Sequence, residues 1–557
     1  MKNIFKKYQL KSWIKTGALA FSLILASSCQ DAIQEDVISR IGNDYMNTAK
    51  GLEDGVNAAY TSLRGWYGTE RGHNMTEFGT DIYTNGSDGS WKFMNTYSNE
   101  FDSQNGLVRE LWDEFYRGIN TSNAIIDRAP NVTGMAAATK STRVAEAKFI
   151  RAHNYFILVQ LFGAVDLQLS ENIVPSRQVS RAPISEVYAA IITDLEEAIP
   201  ALESGKVSVQ YGRATRAAAQ NLLGKVYLTR ATSAAGQSDD YAKAETLFRS
   251  VVATGFTLMS EYSMVHQFGN ERNDEVIWSI QYTRNPLTNG GGNNSHVFFL
   301  MEYDVQAGMR RDTQNGRPFK RYRMTPYAIN TVFGERMNDS RYKASFIDVY
   351  FSNRPGTFNT SFDLSKPSVT FAQGDTAIFI PGFEMSAAER ATKKYQVLVP
   401  SRYDERLFPG LKKHLDPGRA DLTQFQGGRD FIAMRLGETY LALAEAQLRQ
   451  GKIAEATATI NLVRRRAAFP GRGESMVITP AQMTMDFLME ERARELTGEQ
   501  FRWLDLKRWG VLVERVRLHN EQGAPNIQDF HALRPIPQNQ IDRAEGGPSG
   551  FPQNTGY

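Results

Sequence analysis

Apolar residues recur at helical spacing through most of the chain. In residues 51–65, Leu52, Val56, Ala59 and Leu63 fall on one face, which predicts an amphipathic helix. The same spacing predicts further helices over residues 107–128, 143–162, 185–199, 214–231 and 240–254, and again over 434–449, 453–468 and 483–509. The chain is therefore expected to be mainly α-helical.

The later helices come in pairs of similar length. Residues 434–449 and 453–468 are separated by a turn at Gly451, and Ala456 and Ala467 stand where two helices would approach closely. Paired helices of about 15 residues resemble tetratricopeptide units, which repeat every 34 residues or so. We expect a tetratricopeptide-like helical-repeat scaffold rather than a strict array.

Residues 256–430 follow a different pattern. They are rich in proline and glycine, with a glycine run at 290–292, and they contain strand-like stretches at 276–280 and 377–380. This composition predicts a loop-rich insertion that contains short strands, and such loops carry binding more often than packing. After its N-terminal segment the chain then divides into helical, loop-rich and helical parts at 51–255, 256–430 and 431–557.

The first 28 residues have the composition of an export signal. Five lysines and no acidic residue accompany a short apolar run at 17–26, and Ser27 and Ser28 lead to Cys29, the only cysteine. This order is typical of a bacterial lipoprotein signal peptide over 1–28, cleaved before a cysteine that is then lipidated, for example by palmitate. The alternatives are an ordinary secretory signal and a short membrane anchor. The apolar run is too short to span a bilayer about 30 Å thick as a helix.

A short polar tether over residues 29–50 follows the signal. Asp31, Glu35 and Asp36 make its start acidic, and acidic residues at this place resemble the surface-export signal of Bacteroidetes-type lipoproteins. A plain solvated linker is the alternative. We expect a protein that is lipid-anchored in the outer membrane, with its body at the cell surface.

Export changes the charge balance of the protein. The full chain has 64 basic and 61 acidic residues, and cleavage before Cys29 would leave 59 basic residues against the same 61. A nearly neutral mature chain offers no electrostatic attraction for nucleic acid, so we expect no nucleic-acid partner. Lipidation of the single thiol also leaves none for a disulfide, so a packed core must supply the stability.

No catalytic or metal-binding motif is present in the sequence. The chain lacks the H-E-x-x-H, G-x-S-x-G and Walker A patterns, and its seven histidines have no ligand-like spacing. Glu491 and Glu495 lie one helical turn apart, as a carboxylate pair of a glycosidase would, but Arg492, Arg494 and Arg502 surround them. We interpret them as a salt-bridged helix end, and we expect no enzyme activity, no metal and no cofactor.

Aromatic residues outside the predicted helices are the best candidates for ligand contact. Trp66 follows the first helix, and Trp91 ends a stretch rich in glycine and polar residues. A large ring on such a loop offers a flat apolar face with polar neighbours, which suits a sugar ring or a peptide, although local packing is the alternative. The candidate ligand-binding residues are Trp91, Trp66, Tyr67, Asp81, Tyr83 and Asn85, and from the insertion Phe298, Tyr303 and Arg311.

Several stretches together resemble the SusD/RagB family of outer-membrane nutrient-binding lipoproteins. They cover nearly the whole mature chain in order. The matching stretches are 146–167, 212–215, 435–446, 460–464, 490–496, 502–509, 533–537 and the C-terminal Gln553-Asn554-Thr555-Gly556-Tyr557. The family more often ends Gln-Asn-Pro-Gly-Tyr, so Thr555 is a departure.

The resemblance implies both a fold and a role. It implies a helical scaffold of tetratricopeptide-like units, a ligand-binding face made by loops, and an aromatic contact in the early loop that holds Trp91. It also implies a partner, a SusC-like TonB-dependent outer-membrane barrel over which the protein sits as a lid. The ligand would be an oligosaccharide or, in some members, a peptide. A surface glycan hydrolase using acids of the insertion and an adhesive scaffold for a protein partner remain the alternatives.

Overall fold

The computed structural model describes residues 43–206 and 208–557. The predicted signal peptide, Cys29 and most of the predicted tether lie outside the described residues.

The described part of the chain is mainly helical, as its apolar spacing predicts. No helix in it is both long and apolar enough to cross a membrane. The α-helices are α1 Ala49–Ser62, α2 Glu70–Thr76, α3 Phe93–Thr96, α4 Gly106–Arg128, α5 Ala137–Phe162, α6 Ile184–Ala201, α7 Arg216–Arg230, α8 Asp240–Val252, α9 Pro286–Asn289, α10 Ser295–Phe298, α11 Arg341–Ser345, α12 Ala387–Ala391, α13 Leu436–Arg449, α14 Ile453–Ala467, α15 Met485–Leu496, α16 Arg502–Arg508, α17 Leu512–His519 and α18 Gln538–Arg543.

Successive long helices pack against each other as hairpins. Helix α4 packs on α5, α5 on α6, α7 on α8 and α13 on α14, and α13 also packs on α8, so both helical regions share one scaffold. Helix α5 lies at the centre, and its last turns, from Ala152 to Phe162, are buried on every side. The predicted tetratricopeptide-like scaffold is confirmed.

The predicted long helix over 483–509 is wrong, because the structure breaks it into α15 and α16. Between them, Gly498 and Gln500 both have positive φ angles, of 78° and 66°. At Gly498 a Cβ atom would lie 2.4 Å from the side chain of Leu411, so the turn needs glycine both for its backbone angle and for space. The apolar spacing continues across the turn, which is why periodicity alone does not reveal it.

The insertion adds short strands to the scaffold. The predicted stretches at 276–280 and 377–380 are strands in the structure, β4 and β9, the latter ending one residue earlier than expected. β4 pairs antiparallel with β11, Phe431–Arg435, so the start of the insertion joins the strand that leads into α13. The strands are β1 Tyr83–Asn85, β2 Val165–Asp166, β3 Arg181–Ala182, β4 Val276–Ile280, β5 Tyr322–Met324, β6 Val349–Phe351, β7 Gly356–Asn359, β8 Ser368–Phe371, β9 Thr376–Phe379, β10 Gln396–Val397 and β11 Phe431–Arg435.

The insertion also has an apolar core of its own, separate from the main one. It is formed by Leu300, Met301, Tyr303, Tyr350, Ile378, Leu398, Phe408 and their neighbours. The insertion is therefore a packed unit rather than a set of loose loops.

A buried network of ion pairs ties the insertion to the C-terminal helices. Arg435, at the end of β11, forms ion pairs with Glu275 at 2.9 Å, Glu495 at 2.7 Å and Glu499 at 2.7 Å. Arg341, in the insertion, bonds Glu491 at 2.8 Å. These side chains are at most 2% exposed. The interpretation of Glu491 and Glu495 as a salt-bridged helix end agrees with this geometry.

Three carboxylates of this network, Glu491, Glu495 and Glu499, remain ionised although they are buried. Burial raises the pKa of Glu491, but Arg341, Arg464 and Arg494 outweigh it and hold that pKa well below its usual range. Such groups stabilise the fold through their partners and are not available as proton donors.

All seven histidines are held neutral by burial. Desolvation lowers the pKa of each below its ordinary value of 6.5; the histidines are His73, His153, His266, His296, His414, His519 and His531. The pKa of His73 falls to about 3 and those of His153 and His266 to about 4. The unfolded chain therefore binds more protons than the folded chain below pH 6.5, so acid favours unfolding.

We expect the protein to lose stability as the pH falls from 7.5 to 5. The contribution of the histidines is complete above about pH 6.5 and is lost as the pH falls through the window below it, by at least ~2 kcal/mol in total at pH 5. Five acids whose pKa burial raises have the opposite sign but are fewer than the seven histidines; they are Glu70, Asp166, Asp194, Asp430 and Glu77, the last raised to about 8. Urea unfolding at both pH values measures the effect, and equal free energies of unfolding would contradict it.

Candidate ligand-binding site

Trp91 lies on a surface loop, and its own backbone is strained. The loop follows β1, and the insertion holds it in place, since the backbone N–H groups of Gly86 and Asp88 donate to carbonyls of Arg321 and Lys320 at 2.9 and 3.2 Å. Trp91 itself has a φ of 62°, a region that bulky residues rarely occupy. Such strain persists where the surroundings impose it, and it concentrates at functional sites.

The indole of Trp91 is held from two sides. Its ring meets the ring of Phe93 edge-on, with centroids 5.9 Å apart, and its indole N–H lies close enough to the carboxylate of Glu70 to lower the pKa of that group. Glu70 in turn forms an ion pair with Arg321. Burial raises the pKa of the Glu70 carboxyl, while Arg321 and the Trp91 N–H act against that shift. The half-buried ring is thus fixed in orientation while part of it faces solvent.

Trp91 forms one wall of a cleft of about 600 Å³. The end of α1, the start of α2 and the start of α4 form the other walls, and the glycine loop of the insertion closes the rim. The lining residues are Thr61, Arg64, Gly65, Thr69, Glu70, Arg71, Trp91, Gly106, Leu107, Glu110, Glu114, Tyr282, Gly290, Gly291, Gly292 and Asn294.

The glycine loop at residues 290–292 packs closely against Gln426 and Gly427. Gly292 has a φ of 71°, and a Cβ atom there would lie 2.6 Å from Cβ of Gln426 and 3.0 Å from the carbonyl oxygen of Gly427. The N–H of Asn293 donates to the same carbonyl at 3.0 Å. The loop therefore forms a rim of defined shape.

Trp66 and Tyr67 lie beneath the cleft rather than in its wall. Trp66 is 1% exposed and packs against Phe115, with ring centroids 5.8 Å apart. The Tyr67 hydroxyl hydrogen bonds His153 Nε2 at 2.9 Å, and the backbone carbonyl of Tyr67 accepts from the hydroxyl of Tyr282, which lines the cleft, at 2.5 Å. These two residues support the wall from inside the core.

Asp81, Tyr83 and Asn85 are buried on the inner side of the same segment. Both oxygens of Asp81 accept from Arg502, at 2.7 and 2.6 Å, and these partners lie 421 positions apart in sequence. Tyr83 shares a hydrogen bond of 2.9 Å with Thr497, and Asn85 belongs to β1, which pairs with β5. They position the segment that leads to Trp91, and none of them lines the cleft.

The three candidates from the insertion lie apart from the cleft lining as well. Phe298 is 2% exposed and packs near His73, and Tyr303 is fully buried, stacked on Tyr350 with ring centroids 5.0 Å apart. Arg311 is exposed and forms an ion pair of 2.7 Å with Asp304. Ligand contact by these residues stays a prediction, whereas the structure brings Trp91 together with a cleft.

Sequence reasoning missed the polar residues around Trp91. Arg64, Glu70 and Tyr282 line the cleft; the first two flank Trp66 and Tyr67 in sequence, whereas Tyr282 comes from the insertion, so no local motif joins all three. The glycine run at 290–292 was the one available signal, since it marks the insertion loop that forms the rim. Asn294 follows that run and also lines the cleft.

The chemistry of the cleft suits binding. It combines one displayed ring with hydrogen-bonding groups, as sites for amphipathic ligands do. Its carboxylates are engaged in ion pairs, Glu70 with Arg321, Glu110 with Arg71 and Glu114 with Arg117. Among residues 43–206 and 208–557, no three His, Cys, Asp or Glu side chains come together as a metal site.

Comparison with protein families identifies the relatives of this chain. Residues 274–557 match the model described as the SusD family. The chain belongs to that family. Residues 43–228 match a second model, described as starch-binding associating with outer membrane. The first match covers most of the insertion and the C-terminal helical region, and the second covers most of the N-terminal helical region. The SusD family resemblance therefore extends over both ends of the described chain.

Individual members of the SusD family resemble most of the chain. A SusD-like protein of Formosa agariphila is 22% identical over 94% of this chain and 95% of its own length. The starch-binding protein SusD of Bacteroides thetaiotaomicron is 26% identical over 76% of this chain and 74% of its own. A solved laminarin-binding SusD-like protein superposes with a TM-score of 0.64 at 22% identity, covering 92% of this chain and all of that one. At this identity the structural likeness establishes the shared fold.

Proposed function

We propose that this protein binds an oligosaccharide at the cell surface and does so in the cleft at Trp91. The observation that carries the proposal is the display of the Trp91 ring, in a strained backbone conformation and fixed by Glu70, at the wall of a cleft with polar lining. Membership of the SusD family supports it, since relatives include a starch-binding and a laminarin-binding protein.

Binding would use the two kinds of surface that the cleft presents. The C–H face of a sugar ring stacks on Trp91, and hydroxyl groups exchange hydrogen bonds with Arg64, Asn294 and backbone groups of the glycine rim. Because the loop and the indole are already held in place, little ordering is required when the ligand binds, which favours affinity.

We propose in addition that the protein delivers its ligand to a SusC-like TonB-dependent barrel in the outer membrane. Lipidation of Cys29 would keep it beside that partner. The second family model, described as associating with the outer membrane, supports this location, and the resemblance to the SusD family supports the partner.

A peptide ligand is the second candidate for the same cleft, because an aromatic face with polar neighbours also suits a peptide. A glycan hydrolase is disfavoured because each carboxylate that lines the cleft forms an ion pair with an arginine.

Two measurements on the wild-type protein test the proposed function. The purified chain without residues 1–29 is expected to bind at least one polysaccharide saturably and to release no product from it over hours, as followed by reducing-end assay. The full-length protein, extracted from its native membrane, is expected to co-purify with a barrel transporter. Release of oligosaccharides by the pure protein would contradict a binding role, and a preparation free of any barrel would contradict delivery.

A further inference from the structure

A second cleft adjoins the Trp91 cleft and shares part of its wall. It has a volume of about 350 Å³ and lies between the end of α1, the loop before α7 and the end of β4. Thr61 and Arg64 line both clefts. Tyr211, half-buried, lies at the second cleft, with the guanidinium of Arg272 over its ring at 4.0 Å. The two clefts therefore meet at Thr61 and Arg64, and each has an aromatic ring in its lining, Trp91 in one and Tyr211 in the other.

Arg64 is the charged residue of the two clefts that lacks a carboxylate partner. Each of the other charged residues that line the two clefts belongs to an ion pair. The pairs are Arg71–Glu110, Glu70–Arg321, Glu114–Arg117, Arg213–Glu146 and Arg213–Glu53. Among the ion pairs of the described residues, Arg64 takes part in none.

The guanidinium of Arg64 is fixed in position by neutral groups. Its Nε–H donates to the carbonyl oxygen of Gln281 at 2.8 Å, and its Nη1–H donates to that of Thr288 at 2.8 Å. The group also lies over the ring of Tyr282, 5.1 Å from the centroid. These contacts hold a full positive charge in place without neutralising it and leave further N–H donors free of protein acceptors.

Asp430, the carboxylate beside Tyr282, forms no ion pair with Arg64 among the described residues. Asp430 accepts a hydrogen bond from the backbone N–H of Tyr282 at 2.8 Å, and it lines neither cleft. Burial raises the pKa of Asp430, while the hydrogen bond from Tyr282 and the charges of Arg272 and Arg64 act against that shift. The charge of Arg64 therefore faces the shared wall of the two clefts.

We infer that the ligand is an acidic oligosaccharide that extends across Arg64 from the Trp91 cleft into the Tyr211 cleft. An anionic substituent, such as a uronic acid carboxylate or a sulfate ester, receives charge-assisted hydrogen bonds from the preorganised guanidinium, which are stronger than those to a neutral hydroxyl. This inference rests on the proposed function, because it assigns the class of glycan that the Trp91 cleft takes and adds a second subsite at Tyr211.

The test compares acidic and neutral glycans on matched variants. Wild type, Arg64→Gln, Tyr211→Ala and Trp91→Ala are run in affinity gels containing acidic polysaccharides (polygalacturonate, alginate, chondroitin sulfate) or neutral ones (starch, laminarin, xylan). Arg472→Gln, which removes an exposed arginine outside both clefts, controls for net charge. Thermal unfolding of each variant checks that the fold is intact.

The expected result is retention of wild type by an acidic glycan. Arg64→Gln is expected to weaken that binding ~10- to 100-fold, in line with the loss of hydrogen bonds to a charged group. Tyr211→Ala should weaken it less, and Arg472→Gln should leave it unchanged. Added salt should weaken wild-type binding and have little effect on Arg64→Gln, because the charge pair is then already absent.

Two outcomes would overturn the inference and are distinguishable from failure of the proposed function. Retention by neutral glycans alone, abolished in Trp91→Ala, would contradict an acidic ligand while leaving glycan binding at Trp91 intact. An acidic glycan bound equally by wild type and Arg64→Gln would contradict the role of Arg64. If no glycan of either class retained the wild type, the proposed function would fail together with the inference.

Discussion

Replacing Arg435 with alanine is expected to lower the free energy of unfolding by about 3–5 kcal/mol, the cost of leaving buried charges without a partner. Arg435 is 1% exposed and contacts three carboxylates at once, those of Glu275, Glu495 and Glu499. Its removal leaves negative charges facing one another inside the core. Because whole domains are stable by only about 5–15 kcal/mol, the variant is expected to be poorly soluble or partly unfolded at 37 °C.

The control for this prediction is an arginine in an exposed ion pair of the same region. Arg465 pairs with Glu474 at 2.9 Å, with side chains 45% and 82% exposed. Arg465→Ala is expected to cost at most ~1 kcal/mol, because solvent screens such pairs. Urea unfolding of both variants, together with Arg435→Lys, which keeps the charge but not the planar fork, measures the difference. Equal unfolding midpoints for Arg435→Ala and Arg465→Ala would show that the network does not hold the insertion to the helices.

Replacing Trp91 with alanine is expected to remove most ligand binding and to leave the fold unchanged. Tryptophans at the centre of binding sites typically contribute at least ~2 kcal/mol, which corresponds to a loss of about 30-fold or more in affinity. The ring is half-buried and contacts Phe93 and Glu70 at the surface, so its loss should change the free energy of unfolding by less than ~1 kcal/mol.

The helical scaffold was predictable because its signals are local. The apolar spacing of α5, its long buried end and the positive φ at Gly163 that stops it all lie within one stretch of sequence. The turn between α15 and α16 was not predictable in the same way. It depends on the fit of Gly498 against Leu411, whose side chain comes from a segment far away in sequence.

The candidate site likewise contains residues that local sequence reveals and residues whose place depends on distant contacts. Trp91 stood out because a large ring beside glycines and polar residues is unusual outside a core. Trp66 and Asp81 share that neighbourhood in sequence, but the fold places one against Phe115 and the other between Arg502 and Arg515. Those partners come from distant parts of the chain, so burial in the interior was not visible before the structure. Arg64 and Glu70 gain their roles in the same non-local way.

The central claim is that a glycan binds at Trp91, and one titration tests it most directly. Wild type, Trp91→Ala and Phe351→Ala, the last removing a 59% exposed ring outside the cleft, are titrated by calorimetry with the polysaccharide that retains wild type best. We expect Trp91→Ala to lose at least ~30-fold in affinity while Phe351→Ala matches the wild type. Undiminished binding by a folded Trp91→Ala protein would contradict the account.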